Sequence, residues 1–383
     1  MLGVLAFAQP ALASSHHHQN TGVANAVSLV ASPATVPFGS SVTLSGATDP
    51  PTASDTVEIR DASDALVGST STVADGTFST SFTPPTGIEL HAAWQGIDSP
   101  PVTVGVRAVV SAHLTNVRLF DAAVATGVVQ PARAGAAVTV KLLHDGKVVA
   151  TRTPAQSSSG SFRSAFKIKD AGGFRVRASF AASDLVEGSS TTKRRTTPLP
   201  ALHQGSSSDF VGLLEHRLVA LHYHLTGVNH SFDARTADAV LAFRKVQRFP
   251  RTRDVTPALW RALAHPHLIH PVSTTKGFHI EVDQSRQVLA TVRGGKVTSI
   301  IHVSTGKPST PTIDGTFHVD RKIAGYSPHQ LYYPSYFDGN RAIHGWPDVP
   351  TYAASHGCVR IPYWTAKWMF GLAKLGTKVI VHH

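Results

Sequence analysis

Residues 25–107 alternate short apolar runs, rich in β-branched side chains, with turns rich in Gly, Pro, Asp and Ser. Short strands at regular spacing are typical of an all-β sandwich. The pattern returns over residues 108–186, where Gly160–Phe166 repeats Gly76–Phe82 at an offset of 84 residues. A repeat of this length indicates a duplicated domain. We therefore predict two immunoglobulin-like β-sandwiches that act as spacers, on strand spacing alone, because no Cys-Trp-Cys pattern marks either one.

A helical pattern begins after a Ser-, Thr- and Pro-rich stretch at residues 187–208, which predicts a linker. From Asp209 onward, apolar side chains recur every three or four residues, which is the spacing of one helix face. The first stripe comprises Val211, Leu214, Leu218 and Leu221. The second comprises Thr236, Ala239, Val240, Phe243 and Val246, and Thr256 opens a third helix. We predict a small three-helix bundle at residues 209–266.

The last part of the chain, residues 272–383, changes back to alternating apolar positions. Those on either side of Gly294-Gly295 predict two strands joined by a two-residue hairpin turn. After Pro362, a helical stripe ends at Gly376, as is typical of a helix C-terminus. The stripe comprises Trp364, Trp368, Leu372 and Leu375. We predict a mainly β domain with a C-terminal helix, and therefore a multidomain, mainly β chain.

The composition agrees with several folded domains, because 383 residues exceed one small core and 42% of them are hydrophobic against 15% charged. Lys and Arg number 35 against 24 Asp and Glu, and this net charge of +11 favours an anionic partner, such as a cell-wall polymer, a membrane surface or nucleic acid. Residues 272–383 carry 12 Lys and Arg against 6 Asp and Glu, about half of the excess. Since no basic helix with interleaved aromatic residues occurs, we do not expect nucleic acid.

The N-terminal segment predicts export. Residues 1–13 are apolar and end in a small-x-small pattern, as in the latter part of a secretory signal peptide, although its positively charged start is missing. Residues 14–24, which include His16–His18, are polar, and we expect disorder rather than metal binding there. No later segment reaches the roughly 18 apolar residues that a membrane span requires. The single cysteine excludes a disulfide within the chain.

The candidate chemistry lies between Ala342 and Pro362. This stretch contains the only cysteine, Cys358, in the string Ser-His-Gly-Cys-Val-Arg, and a second His-Gly pair begins at His344. An imidazole beside a thiol can take its proton and so raise the fraction of the nucleophilic thiolate. Glycine permits a close approach of backbone, so successive N–H groups could point at a developing oxyanion.

These motifs resemble the signature of the L,D-transpeptidases, whose YkuD-type catalytic domain carries a His-Gly and then Ser/Thr-His-Gly-Cys. The spacer between the two motifs is shorter here than in the best-known members. Val303–Lys307 and Pro311–Phe317 resemble an early strand motif of the same family. Residues 209–266 resemble a small peptidoglycan-binding domain through Phe232–Thr236, through Phe243 with Gln247, and through Leu259-Trp260. An unrelated three-helix domain is the alternative for that segment.

The resemblance implies roles for the motif residues. Cys358 would be the nucleophile, and His344 the base, oriented by the main-chain carbonyl of Gly345. Gly357 and Cys358 would supply the oxyanion N–H groups. The sequence alone does not separate His344 from His356, whose side chain would lie on the same side as that of Cys358 in an extended backbone. Zinc held by these side chains is disfavoured, because His-x-Cys spacing matches no common zinc framework, and we expect no cofactor.

Four more residues are candidates for substrate binding. Ser355 is expected to order the cysteine loop beside the substrate. Arg360 either holds a substrate carboxylate through two hydrogen bonds or forms a salt bridge within the fold. Tyr333 and Tyr336, with the neighbouring Tyr332 and Phe337, either line and cover the donor pocket or pack as ordinary aromatic residues.

The resemblance implies a reaction on peptidoglycan. Cys358 would attack the carbonyl after the third residue of a stem tetrapeptide, D-Ala would leave, and the side-chain amine of a second stem would attack the thioester to form a 3→3 cross-link. An L,D-carboxypeptidase, with water as acceptor, and a non-catalytic wall-binding protein are the alternatives. The expected partners are peptidoglycan stem peptides and an anionic wall polymer, and the expected location is outside the cell, in the wall.

Overall fold

The computed structural model describes residues 25–383, so the predicted signal peptide at 1–13 and the predicted disordered segment at 14–24, with His16–His18, lie outside the described residues. The described part is mostly β, which confirms the predicted class, while the immunoglobulin-like and three-helix assignments stay predictions. No helix within residues 25–383 is both long enough and apolar enough to cross a membrane.

The first β module occupies residues 26–107. Its strands are β1 (Ala26–Val27), β2 (Val30–Ser32), β3 (Thr35–Pro37), β4 (Val42–Asp49), β5 (Thr56–Asp61), β6 (Leu66–Ser71), β7 (Thr77–Phe82), β8 (Ile88–Trp94), β9 (Ile97–Asp98) and β10 (Val102–Arg107). One sheet contains β4 with β1, β2 and β7. Along β8 and β10 buried residues alternate with more exposed ones, which is the period of a half-buried strand.

The second β module follows without a break. Its strands are β11 (Val109–Val110), β12 (His113–Leu114), β13 (Ala122–Gln130), β14 (Thr139–His144), β15 (Lys147–Arg152), β16 (Ser161–Lys167), β17 (Gly173–Ala182), β18 (Leu185–Thr191) and β19 (Arg195–Thr196). One sheet runs across both modules in the order β15-β14-β17-β18-β10-β8-β5-β6. The buried residues of both modules also form one apolar cluster. The two modules are therefore joined by sheet hydrogen bonds and by a shared apolar core.

The predicted linker at 187–208 is wrong over its first part, because β18 and β19 extend into it and pair with β17. Its Ser and Thr side chains occupy exposed strand positions, where β-branched and small polar residues are tolerated. The remainder is packed as well. Pro200 O accepts a hydrogen bond from Trp260 Nε1 at 2.8 Å, and Leu202 forms a β-bridge with Val255.

Three helices follow, α1 (Asp209–Ala220), α2 (Ala234–Val246) and α3 (Pro257–Ala264). The Asp233 side chain caps α2 by accepting from the backbone N–H groups of the first turn, and Thr256 caps α3. The buried faces share one core with Leu119 of the second module and with Val288 and Ile300 of the last domain. We call residues 209–264 the helical domain.

The last domain contains two sheets. Its strands are β20 (His279–Asp283), β21 (Val288–Arg293), β22 (Lys296–His302), β23 (Gly315–His318), β24 (Arg321–Lys322), β25 (Tyr332–Asp338), β26 (Arg341–Trp346), β27 (Val359–Pro362) and β28 (Lys378–His382). The sheet orders are β22-β21-β20-β28-β23 and β24-β25-β26-β27. A 3-10 turn (Tyr363–Thr365) leads into α4 (Ala366–Leu372). Apolar side chains of both sheets and of α4 form the core between them.

The predicted face of the C-terminal helix is wrong. The residues of this segment that enter the core are Ala366, Met369 and Ala373, whereas Leu375 is 66% exposed. The reason is that α4 begins only at Ala366, so Trp364 precedes it in the 3-10 turn and does not share its spacing. Trp364 and Trp368 stack on His224 of the helical domain, at ring distances of 5.3 and 3.8 Å, and Trp368 also packs against the edge of the core.

Candidate active site

Two neighbouring parallel strands bring the His-Gly and the cysteine motifs together. His344 lies on β26 opposite Arg360 of β27, and Ile343 lies opposite Val359. Cys358 directly precedes β27. Because directly opposed residues of paired strands point to the same face, His344 and Arg360 share one face, and Cys358 lies two residues before Arg360, at the start of this strand.

His344 is buried, with 1% of its surface exposed. Its Nδ1 lies 3.0 Å from the Gly345 carbonyl oxygen. Since a carbonyl oxygen only accepts, Nδ1 carries the hydrogen and Nε2 of the neutral ring keeps a free lone pair. Burial lowers the pKa of His344 to about 4, although the Gly345 hydrogen bond opposes this shift. The imidazole is therefore neutral at pH 7 and can accept a proton.

Cys358 is half-buried. Its Sγ lies 3.8 Å from the Asn340 carbonyl oxygen, to which the thiol donates. Burial raises the pKa of the Cys358 thiol, while the Ala342 backbone and the positive charges of Arg360 and Arg341 lower it. The resting group is thus a thiol, and it needs a base when it attacks. No signal in the sequence pointed to the Asn340 carbonyl, because any residue could supply it.

The cysteine loop, residues 354–358, is bent rather than extended. Gly357 has φ of +111°, which a residue with a side chain rarely adopts, and an added Cβ would lie 2.9 Å from Arg341 Nε. The expectation of an extended backbone that aligns His356 with Cys358 is therefore wrong. His356 is exposed. Its ring makes no hydrogen bond or ion pair with any residue in 25–383, so nothing orients it as a base.

Ser355 supports this loop from inside. It is 1% exposed. Its Oγ donates to Cys358 O at 2.6 Å and accepts from Gly357 N–H at 3.1 Å. The prediction that Ser355 contacts substrate is wrong, since both contacts are internal and order the loop, as the other part of that prediction expected. Because the Gly357 amide is engaged by Ser355, the Cys358 amide is the better candidate for an oxyanion donor.

Arg360 forms no ion pair with a residue of the described chain, which contradicts the alternative of a salt bridge within the fold. Its guanidinium lies 4.2 Å above the Trp346 ring, and Nη1 donates a long hydrogen bond of 3.4 Å to Ala354 O. It is half-exposed, opposite His344 on the paired strand. An anionic group of a bound molecule could therefore pair with it.

The tyrosines ahead of the first His-Gly pack together. Tyr336 is 3% exposed, and the Arg321 guanidinium covers its ring at 3.9 Å, so the predicted substrate contact of Tyr336 is wrong. Tyr333 has φ of +48° and makes edge contacts with Tyr332 and Phe370. Tyr336 therefore packs inside the domain, while for the half-exposed Tyr333 both alternatives stay predictions. The sequence could not separate pocket lining from packing, because aromatic side chains are common in both.

The segment Val303–Gly306, which we call the platform, lies against the cysteine loop. Ser304 and Arg360 exchange backbone hydrogen bonds of 3.0 and 2.9 Å. Thr305 O accepts from the amides of Ala354 and Ser355 at 3.0 and 2.9 Å. The sequence resemblance marked this segment but gave no role to it. Within residues 25–383, no three His, Cys, Asp or Glu side chains are placed to hold a metal ion.

Comparison with known proteins agrees with this site. Residues 277–381 match the family model of the L,D-transpeptidase catalytic domain, YkuD. The L,D-transpeptidase of Xylanimonas cellulosilytica (residues 123–326) is similar at 30% identity over 48% of this chain and 99% of that chain, with a TM-score of 0.46. The L,D-transpeptidase of Stackebrandtia nassauensis is similar at 20% identity over 48% of this chain and 95% of that chain, with a TM-score of 0.31.

The catalytic domain of the Enterococcus faecium L,D-transpeptidase is similar at 27% identity over 29% of this chain and 100% of that chain, with a TM-score of 0.24. A comparison with curated proteins finds no match. The family match assigns residues 277–381 to the L,D-transpeptidase catalytic domain.

Proposed function

We propose that this protein is a cysteine-dependent L,D-transpeptidase that forms 3→3 cross-links between peptidoglycan stem peptides. One observation carries the proposal. His344 is held as a neutral imidazole with Nδ1–H on the Gly345 carbonyl, and its strand pairs with the strand that the half-buried thiol of Cys358 directly precedes. A free thiol and a neutral, oriented base on adjoining segments are the two groups that general-base-assisted acyl transfer requires.

The first half-reaction would follow from this geometry. As Sγ of Cys358 attacks the carbonyl after the third stem residue, its proton passes to Nε2 of His344. The oxyanion that forms is stabilised by the Cys358 amide. The tetrahedral intermediate then breaks at the C–N bond, His344 returns the proton to the departing amine, and D-Ala leaves with a thioester remaining on Cys358.

In the second half-reaction, the side-chain amine of another stem attacks the thioester. His344 takes a proton from this amine and returns it to Sγ as the C–S bond breaks, so the thiol is regenerated and no external reactant is needed. Arg360 would pair with the carboxylate of the terminal D-Ala, because it lies on the reacting face without a carboxylate partner in the described chain.

The proposed partners are stem peptides and an anionic wall polymer, and the proposed location is outside the cell, in the wall. The second module supports the polymer, because residues 108–198 contain 13 Lys and Arg against 5 Asp and Glu. Lys141 and Arg177 face each other on adjacent strands, with Arg175 close by, and all three are exposed. Replacing these three residues with Gln should abolish salt-dependent retention on purified anionic wall polymer, and unchanged retention would contradict this partner.

Incubation of the full chain with purified disaccharide-tetrapeptide, followed by mass spectrometry, tests the reaction. Cross-linked dimers and released D-Ala, both absent with Cys358→Ala, are the expected result. Release of D-Ala with tripeptide and without dimers would move the assignment to an L,D-carboxypeptidase. No turnover by a folded protein that still binds peptidoglycan would favour the non-catalytic wall-binding alternative.

A further inference from the structure

A buried lysine of the helical domain reaches into the catalytic domain. Lys245, near the end of α2, is 2% exposed. Its Nζ donates to the main-chain oxygens of Val303, at 2.8 Å, and of Gln287, at 3.0 Å. Burial lowers the pKa of Lys245 well below its usual value, but the amino group can donate two hydrogen bonds with or without its charge, so these two carbonyls fix the position of the side chain. Val303 is the first residue of the platform.

Gln287, the second acceptor, connects Lys245 to the platform. Gln287 is buried and has φ of +58°, an unusual backbone for a residue with a side chain. Its Oε1 accepts from Thr305 N–H at 2.8 Å, and its Nε2 donates to Thr305 Oγ1 at 2.6 Å. Lys245 therefore holds the main chain of Gln287, and the side chain of Gln287 forms two hydrogen bonds with Thr305 of the platform.

The platform in turn holds the cysteine loop. Thr305 O accepts both the Ala354 and the Ser355 amides, and Ser355 Oγ bonds to Gly357 N–H and Cys358 O. Every group between Lys245 and Ser355 is nearly excluded from solvent. Water cannot easily replace a lost partner at such depth, so the loss of one contact propagates as a displacement.

We propose that Lys245 is a positioning residue of the active site, which holds the cysteine loop in its reactive geometry through Gln287, Thr305 and Ser355. The helical domain is then part of the catalytic unit and not only an attached module. This inference rests on the proposed function for its kinetic readout alone. A displacement of about 1 Å at reacting atoms can cost on the order of 100-fold in rate.

The adjacent residue provides a matched control. Arg244 is also buried, and its guanidinium donates to the carbonyls of Pro250 and Asp254, at 2.7 and 3.0 Å, within the helical domain itself. Lys245→Met and Arg244→Met each replace a basic side chain with Met and release two carbonyl oxygens. Only Lys245→Met interrupts the path to the cysteine loop.

The full chain and both variants should be compared by the rate of Cys358 alkylation with iodoacetamide at pH 7, by kcat and KM for D-Ala release, and by Tm. We expect Lys245→Met to lower the alkylation rate and kcat about 10- to 100-fold with little change in KM. Arg244→Met should stay within about threefold of the wild type in both rates, even if its Tm falls as much as that of Lys245→Met.

Equal alkylation rates in the two variants at equal folded fraction would overturn the proposal. Thr305→Val, which removes the hydroxyl contact to Gln287, interrupts the path inside the catalytic domain and should slow alkylation in the same direction. It provides the test if Lys245→Met does not fold, and a wild-type rate in Thr305→Val would then overturn the proposal. Because alkylation needs no wall substrate, a wild-type protein without D-Ala release would refute the proposed function and leave this comparison valid.

Discussion

The two His-Gly pairs of the catalytic domain have the same two residues and opposite surroundings. His344-Gly345 lies within a strand, with the imidazole buried and its Nδ1 held by the Gly345 carbonyl. His356-Gly357 lies in a bend, with the imidazole exposed and the glycine at positive φ. In the first pair the glycine carbonyl orients the histidine. In the second pair the glycine permits the bend that places Cys358.

The glycines differ in what surrounds them as well. An added Cβ on Gly345 would lie 2.7 Å from the Ala366 side chain and 3.0 Å from the Tyr332 ring, whereas one on Gly357 would meet the side chain of Arg341. Gly345 is thus required by close packing, and Gly357 by backbone conformation. The comparison teaches that a motif gives the residue types of a site, while the backbone on which it lies decides which imidazole is buried and oriented.

His344→Gln should give the largest effect. Glutamine keeps a donor for the Gly345 carbonyl but cannot take the thiol proton, so we expect kcat to fall about 100- to 10,000-fold. Steady-state D-Ala release would measure this, with circular dichroism to verify the fold. Retention of more than a tenth of the wild-type kcat would assign the base elsewhere and break the contrast between the two pairs.

The next largest effect is the change of stability with pH. Burial lowers the pKa of His344 to about 4, below the value of about 6.5 for a free imidazole. The unfolded chain therefore binds a proton that the folded chain does not between about pH 6.5 and 4. The free energy of unfolding should fall as the pH falls through this window, and His224 and His302, with pKa values also near 4, add to the effect.

Activity should behave differently from stability in this range. In the folded enzyme, kcat/KM should hold down to about pH 5 and lose about tenfold per pH unit only below the pKa of His344. Urea midpoints and D-Ala release, measured from pH 3 to 8, would show the two profiles. An activity decline centred near pH 6.5 without unfolding would indicate an exposed imidazole as the base.

His356→Ala should give the smallest effect. Because the ring is exposed and bonds to no residue in 25–383, we expect kcat/KM within about twofold of wild type and a free energy of unfolding within about 0.5 kcal/mol. Its pH profile should match the wild type. A loss of tenfold or more in kcat would mean that this histidine contacts the reacting groups when substrate is bound.

Periodic patterns predicted much of the fold. The stripe through Leu214 and Leu218 is buried in α1, and Gly294-Gly295 joins β21 to β22. Prediction failed where composition and structure disagree. Residues 187–191 are predicted as part of a linker because the segment is rich in Ser and Thr, yet their place beside β17 is decided by pairing with distant residues.

For the candidate site, too, the sequence predicted residue types but not their contacts. The motif identified Cys358 and His344, which the parallel pairing of β26 and β27 brings together. It could not show that Ser355 faces inward, that Tyr336 lies under Arg321, or that the Asn340 carbonyl meets the thiol. These facts depend on which segments lie side by side. For the same reason no local pattern pointed to Lys245, one basic residue among 35.

The sheet that runs across both β modules has a mechanical consequence. Arg107 of β10 pairs with Val186 of β18, and Leu119 is buried in the core of the helical domain. Bending at either border would break sheet hydrogen bonds or expose apolar surface, which costs free energy. We therefore expect the two β modules to resist bending at their border, so that the first module moves with the second and with the helical domain.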